Sequence, residues 1–249
     1  MSGESRRTAV TLVVPCFNES QRLDAEAIVD VTRRSPNTWL ILVDDGSTDR
    51  TLAMLHAIAS GAERVDVIAL GSNGGKGEAV RAGLLHASAT GVGWVGYVDS
   101  DLATPPREIA RLVNIARDRD DLDVVLGARV AVLGRDIQRS SFRHYTGRVF
   151  ATLASNVLAK PVYDTQCGAK VFRNSLLLTA SLQQPFSSRW AFDVELLARL
   201  DRAGVPPSAF WEEPLMTWHD VAGSKRSLGS SVRATADLFG IWRNARRAR

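Results

Sequence analysis

An α/β fold, a doubly wound and mostly parallel sheet flanked by helices on both faces, is predicted by three features of this sequence. Short β-branched runs recur along the first half, helical periodicity fills the gaps between them, and acidic turns close several of the runs. The strands are predicted at residues 9–14, 39–43, 65–70, 94–98 and 122–126. Their near-continuous apolar character suits a sheet covered on both sides. The helices are predicted at residues 23–34, 51–60, 77–89 and 106–117, the last opening on Pro106, where a missing N–H costs nothing. In a Rossmann-like sheet of this kind, ligands sit beyond the carboxyl ends of the strands.

A chain of 249 residues, 45% hydrophobic and 23% charged, is enough for one α/β domain with its own core. A net charge of +4 is too small to argue for a nucleic-acid partner. The first seven residues are polar, and the apolar run after them is too short for a secretory leader. The two cysteines, Cys16 and Cys167, therefore read as reduced thiols of a cytoplasmic protein. No stretch approaches the roughly 18 uninterrupted apolar residues of a membrane span, so work at a membrane is expected from its surface.

Polar residues collect where strands end. The first strand runs into Pro15-Cys16-Phe17-Asn18-Glu19, the second into Asp44-Asp45-Gly46-Ser47-Thr48-Asp49, the fourth into Asp99-Ser100-Asp101. Like charges gathered at one edge repel unless a cation or ligand neutralises them. Helix capping is the competing reading, and it is the better one for Thr48 and Asp49 taken singly. In an extended segment Asp99 and Asp101 face the same way and can address one hard divalent cation, leaving room for phosphate oxygens. Between these clusters lies a glycine-rich loop, residues 71–77, leading into a helix. Its spacing is not that of a Walker loop, but its backbone can approach a phosphate closely and Lys76 can reach one.

These motifs, in this order, resemble the family 2 glycosyltransferases of GT-A fold. Asp164-Thr165-Gln166-Cys167-Gly168-Ala169-Lys170, Arg189-Trp190-Ala191-Phe192-Asp193-Val194-Glu195 and Gly223-Ser224-Lys225 resemble the dolichyl-phosphate β-glucosyltransferase and polyprenyl-phosphate glycosyltransferase branch. The resemblance implies a single catalytic domain over residues 1–249, with residues 1–128 binding the nucleotide sugar and 129–249 the acceptor. It implies an inverting transferase that uses Mg²⁺ or Mn²⁺ and takes glucose from UDP-glucose. Pro15, Asn18, Glu19, Asp44, Ser47, Lys76, Asp99 and Lys225 would bind the nucleotide sugar. Asp101 and Asp99 would hold the metal, Gln166 would lie near the donor sugar, and Asp193 would be the base or a positioning group. Mannose-transferring relatives often carry a Gln where this chain has Ala103, which favours the glucosyl branch.

The acceptor half is basic: Arg129, Arg135, Arg139, Arg143, Arg148 and His144 stand against the single acid Asp136. From Phe142 the pattern is helical, with Phe142, Tyr145, Val149, Leu153 and Val157 on one stripe. Such a helix reads either as a membrane-surface element or as a core stripe backed by solvated arginines. By the resemblance, Arg139 and Arg143 would meet the phosphate of a polyprenyl phosphate at the inner membrane face. Two other readings stay open: a transferase with a soluble hydroxyl acceptor, and a catalytically silent nucleotide-sugar-binding protein. His219 reads as a surface or buried histidine ahead of a metal ligand, and Trp190 and Phe192 as core aromatics ahead of a sugar platform.

Overall fold

The computed structural model describes residues 3–138, 150–152, 154–155, 158, 160–189 and 191–221. Strands β1 (Val10–Cys16), β2 (Thr38–Asp44), β3 (Val65–Ala69), β4 (Trp94–Val98) and β5 (Val124–Ala128) fall where the apolar runs place them. The fifth starts two residues late, because Leu122 is used in a turn, its N–H donating to Arg119 O at 3.2 Å. Helices α2 (Ala25–Arg34), α3 (Thr51–Ser60), α4 (Lys76–Ala89) and α5 (Pro106–Asp118) fill the gaps. Asp24 caps α2 by accepting from Ala27 N at 3.0 Å.

Two short strands follow β5 in sequence, β6 (Asp136–Gln138) and β7 (Ala169–Arg173), then α6 (Leu176–Leu182), α7 (Phe192–Ala203), β8 (Phe210–Pro214) and β9 (Thr217–His219). The seven-stranded sheet has the order β3-β2-β1-β4-β7-β5-β8. Six strands are parallel; β7 alone runs against its neighbours β4 and β5. β6 and β9 form a separate parallel pair. The polar start of the chain forms helix α1 (Gly3–Thr8), whose Arg6 O accepts from Gly93 N at 2.8 Å.

Alternation along β1 divides the core in two. Val10, Leu12 and Val14 pack with Ile28 of α2, Leu55 of α3, and Ile109, Leu112 and Val113 of α5. Val13 faces the other way, among Val80 and Leu84 of α4 and Phe192 and Leu196 of α7. With both faces covered, β1, β4 and β5 are buried along their whole length. The order reverses at β1, so the carboxyl ends of β1, β2 and β4 open on one crevice. Because β7 runs backwards, the segment that precedes it arrives at this same edge, Ala169 pairing with Val98.

Of the stripe expected from Phe142, the residues named lie outside the described ones. Phe150, Ala151, Ala154 and Leu158 are helical and buried, which fits the core alternative for that end of the segment.

Candidate active site

The turns after β1 and β2 hold each other. Asn18, in a left-handed conformation (φ 50°), donates its N–H to Ser47 Oγ at 3.0 Å, and its Oδ1 accepts from Thr48 N at 2.9 Å. Glu19 N donates to Thr51 Oγ1 at 2.8 Å, while the Glu19 carboxylate pairs with Arg22 at 2.6 Å. Pro15 lies in β1 in register with Val43. Asp49 accepts from Thr51 N at 2.9 Å and Ser20 N at 3.2 Å, the capping role expected of it. Burial pushes its carboxyl up, but the hydrogen bonds from Thr51 and Ser20 together outweigh it and hold the group well below the usual range.

The two aspartates closing β2 divide their work. Asp45, not singled out as a site residue, clamps the glycine-rich loop: it accepts from Asn73 Nδ2 at 2.9 Å, Gly74 N at 2.8 Å and Gly75 N at 2.8 Å. Burial raises its carboxyl in spite of those donors. The fit is close, since a Cβ on Gly46 would stand 2.7 Å from the Ser72 carbonyl carbon. Asp44 is buried and accepts from Ser47 N at 3.0 Å through Oδ2. Its Oδ1 is sealed from water without a hydrogen-bond partner, a state that costs about 1–3 kcal/mol and suits a site awaiting a donor.

From that loop Lys76 reaches across to β4, its Nζ 2.5 Å from Asp99 Oδ1. Asp99 is packed against Gly168, where a Cβ would fall 2.1 Å from Asp99 Oδ2. The Asp-Thr-Gln-Cys-Gly segment thus fixes the first aspartate of the acidic pair. Asp101 accepts from Ala103 N at 3.1 Å, and burial, then the Asp99 charge, raise its carboxyl. Among the described residues no group of three or more His, Cys, Asp or Glu side chains gathers to hold a metal. The donor set still fits Mg²⁺ or Mn²⁺: both groups are hard carboxylate oxygens, and Mg²⁺ usually takes one or two carboxylates with substrate phosphates and water.

The Asp164–Cys167 turn is braced from below. Arg129 grips Asp164 through Nε (2.6 Å) and Nη2 (2.8 Å), and both side chains are buried. Its guanidinium lies over Trp218, 5.2 Å from the ring centroid. Burial opposes the charge on Arg129, but the Asp164 carboxylate outweighs it. This corrects the reading of Arg129 as part of a basic acceptor surface: its charge is spent inside the fold. Glu212 accepts from Tyr163 N at 2.7 Å and Asp164 N at 2.6 Å, leaving Gln166 half-buried at the turn. Burial pushes the Cys167 thiol up to about 11, and Cys16 is likewise raised; both thiols are free, buried and unreactive.

Asp193 opens α7, buried, with Oδ1 receiving Lys170 Nζ at 2.8 Å and the Tyr97 hydroxyl. Lys170 also donates to Cys167 O at 2.5 Å. Burial, then the Asp193 charge, raise the Tyr97 phenol well above its usual value, so it stays a donor. Neither Lys170 nor Tyr97 was expected at the site; the signals were a lysine and a phenol inside otherwise apolar strands. Arg189 lies over the glycine-rich loop, donating through Nη2 to Asn73 O at 3.0 Å and through Nε to Gly74 O at 3.2 Å. Phe192 is core, 5.7 Å from the Tyr97 ring centroid.

His219, half-exposed, pairs with Asp136 at 2.7 Å, although its N–H donates to Ala103 O at 3.2 Å beside the acidic pair. Lys225, Arg139, Arg143 and Trp190 lie outside the described residues. The structure therefore gathers Asn18, Glu19, Asp44, Ser47, Lys76, Asp99, Asp101, Gln166 and Asp193 at or beside one sheet edge, where β1 ends just after Pro15. No helix among the described residues is long and apolar enough to cross a membrane.

Residues 11–179 match the family described as glycosyl transferase family 2. The chain is 33% identical to a dolichyl-phosphate β-glucosyltransferase of Drosophila melanogaster, over 96% of this chain and 76% of that protein. It is 31% identical to the Homo sapiens protein of that name, over 89% and 71%. The Saccharomyces cerevisiae one is 30% identical over 92% and 72%. Among solved structures, glucosyl-3-phosphoglycerate synthase from Mycobacterium tuberculosis, in complex with Mn²⁺, UDP and phosphoglyceric acid, superposes with TM-score 0.69 at 21% identity. That likeness covers 98% of this chain and 81% of the synthase, and it shows a shared fold, the GT-A arrangement of the glycosyltransferases. Placed beside its site geometry, this match over most of the chain makes the protein a member of glycosyl transferase family 2.

Proposed function

We propose that this protein transfers glucose from UDP-glucose to a polyprenyl phosphate of the dolichyl type, inverting the anomeric carbon. The observation that carries the reading is the identity of about a third with dolichyl-phosphate β-glucosyltransferases across nearly the whole chain, site motifs included. An acceptor phosphate oxygen attacks the anomeric carbon, the bond to the diphosphate breaks, and UDP departs with the electron pair. Asp44 Oδ1, buried and unsatisfied, accepts the imide N–H of uracil. Asn18, Glu19 and Ser47 shape the pocket around it, with Pro15 behind them.

Asp101 and Asp99 would hold a divalent cation, Mg²⁺ or Mn²⁺, which would supply positive charge for the diphosphate. Lys76, already at Asp99, adds a second positive charge there, and Lys225 is assigned to the same diphosphate. Gln166 contacts the donor sugar. The acceptor, with a second pKa near about 6, is largely an anion at neutral pH and needs positioning more than deprotonation. Arg139 and Arg143 are assigned to that phosphate. Asp193, its Oδ1 tied to Lys170 and Tyr97, serves as a fixed acceptor that orients donor and acceptor. The enzyme would act as one domain, from the cytoplasmic side, attached peripherally to the membrane.

The test is UDP release from UDP-glucose with Mg²⁺ or Mn²⁺, with and without a short polyprenyl phosphate. Lipid-stimulated release, abolished by EDTA and by Asp101→Ala, is expected. Metal-dependent release that ignores the lipid would point to a soluble hydroxyl acceptor, and no release at all to a silent binding protein.

A further inference from the structure

Two exposed apolar groups stand at opposite edges of the main sheet. Leu176 and Leu177 open α6, just after Arg173, which pairs with Trp94 at the amino-terminal edge. Val132, Leu133 and Met216 lie at the carboxyl-terminal edge, beyond the ends of β5 and β8, where the nucleotide crevice also opens. Leu133 is exposed to the full extent of an isolated side chain (102%), Val132 to 54% and Met216 to 42%. Arg135 N donates to Val132 O at 3.1 Å, closing a turn whose Gly134 is left-handed (φ 83°) and would meet nothing within 4 Å if it carried a Cβ. Asp136 N donates to Met216 O at 2.8 Å, which sets Met216 beside the base of the turn.

Charge at the turn favours neither sign: Arg135 has no carboxylate partner among the described residues, but its Nη1 is buried, and the neighbouring Asp136 is paired with His219, which is charged only when protonated. An exposed apolar tip at the edge where the crevice opens is suited to enter the acyl boundary of a lipid surface. A protein partner fits less well. Three side chains on a convex turn fall far short of the ~800 Å² that each side gives to a stable interface.

We propose that the Val132–Leu133 turn, with Met216 beside it, inserts into a lipid surface and seats the nucleotide crevice against it. The inference deepens the lipid-phosphate reading and rests on it: a prenyl chain stays in the membrane while its phosphate enters the site, so the crevice has to open at the bilayer.

The full chain is mixed with vesicles of phosphatidylcholine, with or without phosphatidylglycerol. Val132→Ser with Leu133→Ser is expected to weaken binding to the vesicles about tenfold or more, as loss of two inserted side chains requires. Leu176→Ser with Leu177→Ser removes as much apolar surface at the far edge and leaves binding within about twofold. Because both native thiols are buried, Leu133→Cys can be labelled selectively with a polarity-sensitive dye. Its emission is expected to shift to the blue on the vesicles. Equal binding by the tip variant and the wild type, or no shift at position 133, overturns the proposal.

Release of UDP with a short, water-soluble polyprenyl phosphate separates the two ideas, because the tip variant is expected to match the wild type there. Turnover with tip-independent vesicle binding sinks the tip alone. Tip-dependent binding with no response to any polyprenyl phosphate sinks the acceptor reading and leaves the membrane contact standing.

Discussion

Lys170 meets Asp193 at 2.8 Å, with the lysine wholly buried and the aspartate 7% exposed, so an ion pair links β7 to the first turn of α7. The Tyr97 hydroxyl completes the cluster on the same carboxylate oxygen.

Breaking this pair from one side strands a charge in the core. Asp193→Asn and Lys170→Met are each expected to cost about 3–5 kcal/mol of stability. The double change Lys170→Met with Asp193→Leu should regain most of it, since a buried pair can be replaced by apolar side chains at little cost. Thermal or urea unfolding reads the first effect. UDP release should stay low in the double variant, which separates the carboxylate's part in turnover from its part in folding. With a phosphate acceptor, the Asp193→Asn loss in kcat should be milder than with a hydroxyl acceptor.

Gly168→Ala places a methyl group where the Asp99 carboxylate now sits. The aspartate must move by the order of an ångström, and displacements of that size cost up to about 100-fold in rate. A fall in kcat/KM of about 10- to 100-fold is expected with the circular-dichroism spectrum unchanged.

Arg189→Ala frees the glycine-rich loop from two carbonyl contacts at the surface. KM for UDP-glucose should rise about 3- to 10-fold, with kcat affected less. A larger fall in kcat than rise in KM would show that the arginine acts on the chemical step.

The carboxyl of Asp49 is held low in the folded chain. Its contribution is therefore complete above the unfolded value, about 3.9, and is lost as pH falls through the lower folded value. Asp49→Ala should cost about 1 kcal/mol at neutral pH. The gap from wild type should narrow below about pH 4, as urea titrations at pH 7 and pH 3 would show.

The parallel strands and the crevice were legible in the sequence because each rests on a local signal. β1 to β5 are apolar runs, and the acidic turns follow them directly. The antiparallel insertion of β7 carries no such mark: residues 169–173 have strand character, but nothing local states which neighbours they take. Arg129 was misplaced for a related reason. Its partner is 35 residues away, and an arginine seen without that carboxylate looks like surface. Lys170 was visible only as the end of a motif, whereas its meaning lies in Asp193 and Tyr97 from two other elements.

The reversed strand bears on the order in which the chain can assemble. β5 joins the sheet through β7 on one side and β8 on the other, and both are made later than it is. During synthesis β5 must wait for at least 40 or so further residues, with both its edges unpaired, a state open to mispairing. A fragment ending at Ala128 would therefore lack the strand that bridges β4 to β5, and aggregation is its expected fate. The stretch up to Ala128 and the stretch after it are woven into one sheet, so neither could have been acquired or exchanged as a ready-made module.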